Sequence, residues 1–224
     1  LTMPNKNKIV ELLDDLSPEA QLIGAVNTVL NDNGKLIGYN TDGYGFMQSV
    51  RDAGHDITGK NITVMGVGGA SMAICAQSAL DGAASVHIFA RRTSRYWNRT
   101  QKFAENLSAK TGCQVCLFDN DDHTALRDSI AQSYLLINAT SVGMVPDIDD
   151  TIIKDTSLFH PELVVADVVY EPQETRLLRE AKAAGCQTFN GMYMLLHQGA
   201  KAFQIWTGQE MPVSVIKEKY FSVK

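Results

Sequence analysis

Features typical of several protein classes are absent from this chain of 224 residues. No apolar run reaches the ~18 residues that a membrane-spanning helix needs. Basic residues are not in excess, since 20 Lys and Arg stand against 25 Asp and Glu, with a formal net charge of -5. A nucleic-acid partner or an anionic membrane surface would favour the opposite balance. We therefore expect a small-molecule ligand, no nucleic acid and no membrane.

Cysteine is scarce as well, with four residues in the whole chain. Cys113 and Cys116 form a C-x-x-C pair, but a zinc site would need further ligands at similar spacing. The pair lies at a predicted strand, where an odd separation sends the two side chains to opposite faces. We therefore expect reduced thiols, no metal ion and a cytoplasmic protein.

Between residues 60 and 190, short apolar segments alternate with helix-prone ones. The apolar segments predict strands at 61–66, 85–90, 114–118, 134–140, 163–170 and 187–190. Helices are predicted between them at 70–82, 95–112, 123–131 and 175–185. Strands that are apolar throughout are typical of a parallel sheet covered on both faces. The fold class is therefore α/β, with a Rossmann-like, doubly wound parallel sheet assigned to residues 43–190.

The two ends of the chain predict a second, smaller α/β lobe. Residues 1–42 hold a helix candidate at 7–16 and two strand candidates at 24–30 and 35–40, joined by a turn at 31–34. After residue 190, helices are predicted at 192–208 and 212–221. We expect residues 191–224 to return to the lobe that residues 1–42 begin.

A glycine-rich loop joins the first strand of the predicted sheet to the helix that follows. The segment VMGVGGAS places Gly66 at the turn, and Gly68 and Gly69 where a helix begins. Glycines let a ligand approach the backbone, and a helix N-terminus offers free N–H groups to a pyrophosphate. Ser71 stands where the third glycine of the usual motif would be. In this strand–helix context the loop predicts dinucleotide binding.

The residues after the second strand indicate which dinucleotide is bound. A NAD-binding unit usually places an acidic residue there to accept the ribose 2′-hydroxyl. Here the strand runs into Ala90, Arg91, Arg92, Thr93, Ser94 and Arg95, with no acid. Guanidinium groups suit a 2′-phosphate, so NADP is favoured and NAD stays an alternative. An exposed, basic start of a helix would give the same pattern.

The segment GYNTDG contains Asp42, which could cap a following helix or take part in chemistry. The predicted substrate lobe has few other polar candidates, namely Thr2, Lys6, Asn27 and Thr41. Hydroxyl and amide groups with one Lys–Asp pair fit a polyhydroxylated substrate whose reaction includes a proton transfer. One residue can cap and catalyse, so both interpretations of Asp42 stay open.

Seven segments occur in an order that resembles the shikimate dehydrogenase family: LTMPNK, IGAVNT, GYNTDG, GVGGAS, INATSVGM, VVADVVYEP and NGMYMLLHQGAKAF. The segments MPNK and ARRT are similar to its quinate/shikimate dehydrogenase branch. The resemblance covers nearly the whole chain. It implies reversible hydride transfer between shikimate and a nicotinamide cofactor, in the biosynthesis of aromatic amino acids.

The resemblance also implies residue roles. Lys6 and Asp42 would be the catalytic pair. Substrate contacts would come from Thr2, Asn27, Thr41, Tyr170 and Gln198. The cofactor would contact Gly66, Val67, Gly68, Gly69, Ala70, Ser71, Arg91, Arg92 and Thr93, and on its nicotinamide side Ala139, Thr140, Val168 and Gly191. His197 is expected to be a helix-surface neighbour of Gln198.

Departures from the family pattern leave alternative functions open. Ala90, Arg91 and Arg92 stand where many relatives have Asn-Arg-Thr, and Thr93 stands where the quinate/shikimate branch often has Asp. A quinate/shikimate dehydrogenase that uses NAD is therefore the alternative enzyme, and a non-catalytic dinucleotide-binding regulator is the alternative of another class. A homodimer is kept as an option.

The predicted substrate lobe is small for the apolar residues it must cover. The resemblance implies a further segment before LTMPNK. We therefore expect these residues to be part of a longer protein, with a one-sided substrate pocket. On that basis Lys6 and Asp42 should be more exposed than a working site allows.

Overall fold

The computed structural model describes residues 1–2 and 5–221. Within these residues the strands form a three-stranded sheet in the order β1-β3-β2 and a six-stranded sheet in the order β6-β5-β4-β7-β8-β9. Met3 and Pro4 of the LTMPNK motif, and the last three residues of the 191–224 segment, lie outside the described residues. In the described part of the chain, no helix is long and apolar enough to cross a membrane.

The large sheet confirms the predicted doubly wound architecture. All neighbouring strands are parallel, and the chain leaves the first strand β4 in both directions. The strands are β4 (Asn61–Met65), β5 (Ser85–Ala90), β6 (Gln114–Asp119), β7 (Leu135–Asn138), β8 (Val164–Asp167) and β9 (Gln187–Phe189). The helices between them are α3 (Gly69–Leu80), α4 (Trp97–Thr111), α5 (His123–Gln132) and α6 (Arg176–Ala183).

Each face of the large sheet packs into its own apolar core, as side-chain alternation along a strand requires. In β4, Ile62 and Val64 belong to the core formed with α3 and α4. Met65 belongs to the opposite core, which includes Leu177 of α6 and Ile130 of α5. Strands β7 and β8 end earlier than predicted, at Asn138 and Asp167, because the side chains of these residues organise the loops that follow.

The small sheet is built differently from its prediction. Strands β2 (Thr28–Asp32) and β3 (Lys35–Tyr39) form the expected antiparallel pair, with positive φ at both turn residues, Asn33 and Gly34. The helix predicted at 7–16 is wrong: a short 3-10 helix covers Lys8–Leu12, and β1 (Asp15–Leu16) pairs parallel to β3. A two-residue strand has no sequence pattern of its own, since only pairing with β3 defines it.

A helix not predicted by sequence precedes β2. Helix α1 (Pro18–Ile23) occupies residues between the first expected helix and strand, so the strand predicted at 24–30 begins only at Thr28. The local signals are clear in the structure. Ser17 caps the helix by accepting a hydrogen bond from Ala20 N, and Gly24 ends it with a φ of 65°. Serine before proline and a glycine stop are standard start and stop signals.

Helix α2 (Asp42–Asp52) packs between α3 and the long helix α7 (Met192–Thr207). Glycines allow the close approach. A Cβ atom at Gly43 would lie 2.3 Å from the Ala73 carbonyl oxygen, and one at Gly45 would lie 2.7 Å from Gln198 N. The helix predicted at 212–221 divides into α8 (Val213–Ile216) and a π-helical turn at Lys217–Phe221. The division into segments 1–42, 43–190 and 191–224 stays a prediction.

Candidate active site

Lys6 and Asp42 form an ion pair at the N-terminus of α2. Lys6 Nζ lies 2.6 Å from Asp42 Oδ2. The exposed fraction of the side chain is 19% for Lys6 and 6% for Asp42. The expectation of an exposed pair is therefore wrong, because α2 and the loop before β2 enclose both charges. The positive end of the α2 dipole also favours the carboxylate at this position.

The structure separates the two interpretations of Asp42. Thr41, not Asp42, holds the N-cap position of α2, and the Thr41 side chain makes no capping hydrogen bond. The carboxylate of Asp42 instead accepts hydrogen bonds from Lys6 Nζ and, at 2.8 Å, from Asn27 Nδ2. A carboxylate held by an ammonium and an amide is oriented for a role outside its own helix.

Two asparagines hold the pair in place. Asn27 binds Thr41 through both ends of its amide, since its Oδ1 accepts from Thr41 N and its Nδ2 donates to Thr41 Oγ1, each at 3.0 Å. Asn40 donates to the Ala25 carbonyl and accepts from Asp42 N at 3.1 Å. The loop before α2 is thereby tied to the segment before β2, which places Asp42 opposite Lys6.

The pair lies at the junction of two cavities. The larger, of about 320 Å³, is bounded by residues of the glycine loop, the β8 loop and α7: Lys6, Asp42, Gly69, Ala70, Val168, Tyr170, Gly191, Met194, Leu195 and Gln198. The smaller, of about 110 Å³, adds Tyr96, which directly precedes α4, and Arg99 of α4. An ammonium and a carboxylate beside the glycine loop can exchange a proton with a ligand bound in the larger cavity, hereafter the substrate cavity.

The predicted substrate-contacting residues do not all reach this cavity. Tyr170 and Gln198 line it, with Tyr170 44% exposed. Asn27 and Thr41 lie behind the Lys6–Asp42 pair and bind each other. Thr2 is exposed, and its carbonyl accepts a hydrogen bond from Asn5 N. Asn27 holds the carboxylate of Asp42 and the backbone of Thr41 in this structure, and contact of Asn27 and Thr41 with a substrate stays a prediction.

The glycine loop has the geometry that its sequence predicted. Gly66 has a φ of 110°, and a Cβ there would lie 2.8 Å from Thr140 Cγ2. Ser71 donates to the Gly66 carbonyl at 2.5 Å, which closes the turn. At Gly68 and Gly69 an added Cβ would meet no atom within 4 Å. The loop therefore leaves open space in front of the first N–H groups of α3, where an anion would bind.

A cleft of about 930 Å³ extends from this loop along the carboxyl ends of the strands. Its wall includes Gly66, Val67, Gly68, Arg91, Thr93, Ala139 and Thr140 from the predicted set. Arg92 is not part of that wall, since its guanidinium stacks on the Trp97 ring at 4.6 Å. The cleft, hereafter the cofactor cleft, thus receives one of the two predicted arginines.

Five further residues of the cleft were not predicted from the sequence: Tyr96, Asn120, Ser141, Val142 and Ile152. Ser94 and Arg95, from the basic segment after β5, also line the cleft. Asn120 directly follows β6, and ligands of such sheets bind at the carboxyl ends of strands. Its buried Oδ1 has no hydrogen-bond partner among the residues that the structure describes. An open acceptor beside guanidinium and hydroxyl groups fits an adenosine phosphate ligand.

Of the four residues predicted on the nicotinamide side, two line the cofactor cleft and two line the substrate cavity. Ala139 and Thr140 follow β7 and line the cofactor cleft. Val168 follows β8, and Gly191 precedes α7; both line the substrate cavity. A Cβ at Gly191 would lie 2.1 Å from the Val168 carbonyl oxygen, so only glycine allows this contact.

His197 and the cysteines line neither the cofactor cleft nor the substrate cavity. His197 is buried, against its expected surface position, and its Nε2 lies 3.0 Å from Asp52 Oδ2. The four cysteines are free. Burial raises the pKa of the Cys75 thiol to about 12 and that of Cys113 to about 11, so neither forms a thiolate at neutral pH.

Comparison with known proteins adds to this geometry. Family models match at both ends of the chain: the shikimate dehydrogenase substrate-binding domain over residues 1–29 and the shikimate 5′-dehydrogenase C-terminal domain over residues 191–219. The shikimate dehydrogenase (NADP(+)) of Listeria innocua is 52% identical over 99% of this chain and 76% of its own length. A quinate/shikimate dehydrogenase of Escherichia coli is 42% identical over 97% of this chain and 75% of its length.

A solved structure agrees with the fold. Shikimate 5-dehydrogenase from Listeria monocytogenes, in complex with shikimate and NAD, superposes with a TM-score of 0.94 at 52% identity. The match covers 97% of this chain and 75% of that one. A TM-score of 0.94 over nearly the whole of this chain means that the two chains share their fold. The chain therefore belongs to the shikimate dehydrogenase family.

Proposed function

We propose that this protein catalyses reversible, NADP-dependent oxidoreduction between shikimate and 3-dehydroshikimate. The observation that carries the proposal is the Lys6–Asp42 pair, joined at 2.6 Å beside the glycine loop. A dinucleotide-binding protein without turnover would need neither charge in this position. The family relationship supplies the substrate class.

Proton transfer is the part of the reaction that Lys6 and Asp42 perform. An alcohol that loses hydride must also lose its hydroxyl proton, so a positioned acceptor is needed, and the reverse reaction needs a donor. Lys6 Nζ lies on the cavity wall and exchanges that proton with the substrate oxygen. Asp42, whose carboxylate is held by Asn27, orients the amine of Lys6. The protonation of the two groups is coupled, so they act as one unit.

The residues around the cofactor cleft fit a nicotinamide dinucleotide. The pyrophosphate would be held by Gly66 to Ser71 at the start of α3, and the adenosine 2′-phosphate by Arg91 with Thr93. Ala139, Thr140, Val168 and Gly191 would hold the nicotinamide end. When bound, the cofactor supplies or accepts hydride at C4 of its ring. The residues of this chain bind the cofactor and hold the proton.

Tyr170 and Gln198 are proposed to bind the substrate hydroxyls. Both line the substrate cavity, and both have polar groups not engaged with other side chains in the described structure. Asn27 and Thr41 contribute through the catalytic pair. Thr2, which precedes Lys6 in the chain, is kept as a proposed contact on the strength of the family motif alone.

A second candidate is quinate/shikimate dehydrogenase activity with NAD or NADP. Two observations favour it: the 42% identity to a quinate/shikimate dehydrogenase, and the Listeria monocytogenes relative whose structure contains NAD.

A crossed assay tests both candidates. Purified protein is given shikimate or quinate with NADP or NAD, and reduced nicotinamide is followed by absorbance. We expect the highest kcat/KM with shikimate and NADP. Comparable rates with quinate and NAD would favour the second candidate. Cofactor binding without turnover in any of the combinations would instead identify a dinucleotide-binding regulator.

We also propose a cytoplasmic location and keep a homodimer as the proposed assembly. Free cysteines are what a reducing compartment maintains. Cell fractionation and sedimentation equilibrium are the corresponding measurements. A secreted protein or a monomer at assay concentration would contradict them.

A further inference from the structure

A buried carboxylate lies between the cofactor cleft and the substrate cavity without belonging to either. Asp167 ends β8 and has no exposed surface. Asn138 Nδ2 and Val169 N donate to its Oδ1 at 3.0 and 2.9 Å, and Thr175 Oγ1 donates to its Oδ2 at 2.8 Å. A buried carboxylate is costly unless donors surround it in this way.

On one side these bonds reach the cofactor cleft. Asn138 ends β7, directly beside Asp167 in the sheet. While its Nδ2 binds Asp167, its Oδ1 accepts from Thr140 N at 3.1 Å and from Thr140 Oγ1 at 2.7 Å. Thr140 Oγ1 in turn accepts from Val142 N at 3.1 Å. Asp167 thus orients the amide that holds one wall of the cofactor cleft.

On the other side the same carboxylate reaches the substrate cavity. The bond from Val169 N fixes the loop that begins with Val168 and carries Tyr170, both on the cavity wall. Gly191 N donates to the Val169 carbonyl at 3.3 Å, so the start of α7 follows the same loop. A single side chain therefore joins the two walls between which hydride must pass.

We propose that Asp167 is a positioning residue for hydride transfer, which sets the β7 loop of the cofactor cleft relative to the β8 loop of the substrate cavity. The inference rests on the proposed function and adds a residue to it. Hydride transfer is sensitive to the separation and alignment of donor and acceptor, and a misplacement of about 1 Å can cost about a hundredfold in rate. Loss of the carboxylate should therefore lower kcat through alignment, with the Lys6–Asp42 pair intact.

Three variants form the kinetic test. Asp167→Ala removes all three hydrogen bonds, whereas Asp167→Asn can accept the bonds from Asn138 Nδ2 and Val169 N and replace the third with one that its amide donates to the Thr175 hydroxyl. Asp155→Ala is the control, because Asp155 also accepts loop hydrogen bonds, from Ser157 N and Oγ, but lines neither the cofactor cleft nor the substrate cavity. With shikimate and NADP we expect Asp167→Ala to lose about tenfold or more in kcat, with a larger isotope effect from deuterated substrate. Asp167→Asn should recover most of the rate.

A binding measurement tests the inference without turnover. Adenosine 2′,5′-bisphosphate carries only the end of NADP that Arg91 and Thr93 would hold. Asp167→Ala should weaken NADP several-fold and leave the affinity for the bisphosphate unchanged. A wild-type protein that binds both ligands but does not turn over would contradict the proposed function, and the binding comparison would still decide the role of Asp167.

The inference is overturned if folded Asp167→Ala keeps the wild-type kcat and the wild-type ratio of NADP to bisphosphate affinity. It is also overturned if both affinities fall equally, since that indicates general distortion of the domain. Should Asp167→Ala not fold, Thr175→Val and Thr175→Ser replace it. Valine removes the donor to Asp167 Oδ2 and serine keeps it, so only valine should lower kcat. Equal kcat for the two would overturn the inference as well.

Discussion

Lys6 Nζ and Asp42 Oδ2 meet at 2.6 Å although 36 positions of sequence separate them. A second Lys–Asp pair, Lys35 with Asp15, has a similar length of 2.9 Å but lies on the surface, with about half of each side chain exposed. The two pairs differ in environment and not in chemistry. An exposed pair contributes little, whereas a pair enclosed beside a ligand cavity can hold and deliver a proton.

That contrast yields the first prediction. Lys6→Ala and Asp42→Ala should each reduce kcat by about a hundredfold or more, and the double variant should lose little beyond that, since groups that act as one unit are not additive. Lys35→Ala is the matched control and should keep the wild-type rate. Steady-state kinetics on the wild type and the four variants provide the measurement. Independent, multiplying losses would separate Lys6 and Asp42 into distinct roles.

Cofactor choice should depend on Arg91 more than on Arg92. Arg91 lines the cofactor cleft, whereas Arg92 stacks on Trp97. A hydrogen bond to a charged group contributes about 1.5–3 kcal/mol, so Arg91→Ala should weaken NADP by about tenfold or more. NAD, which has no 2′-phosphate, should be affected much less.

The comparison requires KM values for both cofactors in Arg91→Ala, Arg92→Ala and Arg179→Ala. Arg179 is an exposed residue of α6 and serves as the control. Equal losses for NADP and NAD in Arg91→Ala would show that this arginine does not contact the 2′-phosphate.

The packing of α2 gives a prediction on stability. In Gly43→Ala the new Cβ would lie 2.3 Å from the Ala73 carbonyl oxygen, so α2 must move away from α3. We expect a loss of about 1–3 kcal/mol in the free energy of unfolding. Because Asp42 precedes Gly43, turnover should fall as well.

Gly199→Ala is the matched control, since Gly199 lies in α7 and an added Cβ meets no atom within 4 Å. An exposed helical glycine replaced by alanine should gain about 0.5–1 kcal/mol. Urea denaturation of both variants provides the measurement. Equal free energies of unfolding would mean that the α2–α3 contact does not depend on glycine.

Asp167 should make stability depend on pH. Burial raises the pKa of this carboxyl above its ordinary value, although its three hydrogen bonds lower it in part. The folded state then holds the proton to a higher pH than the unfolded state does. The stabilisation is complete below the unfolded-state pKa, near about 4, and is lost as the pH rises through the folded-state pKa.

Asp167→Asn removes this titration and leaves the other carboxyl groups in place. The free energy of unfolding of wild type minus that of the variant should therefore fall as the pH rises from about 4 to about 7. Chemical denaturation at several pH values measures the difference. Parallel curves for the two proteins would show that Asp167 has the same pKa in both states.

Local patterns in the sequence were enough to establish the large sheet and its glycine loop. Continuous apolar segments bounded by glycine predicted each of its strands, since burial on both faces leaves little choice of residue. The turn at Gly66 needed a positive φ, which glycine adopts readily. Family motifs then identified Lys6 and Asp42 as partners.

Tertiary structure decided what local patterns do not encode. Strand β1 exists only because β3 pairs with it. Where the sequence pattern predicted a helix at 7–16, the structure has a short 3-10 helix followed by β1. Among neighbouring arginines, the direction of each side chain depends on packing. The guanidinium of Arg92 stacks on the Trp97 ring and therefore lies outside the cleft wall. Asp167 resembles any strand-end residue in sequence, and only the adjacent positions of β7 and β8 surround its carboxylate with donors. Contacts between distant segments set these features, because each depends on side chains that the fold alone brings within hydrogen-bond or van der Waals range.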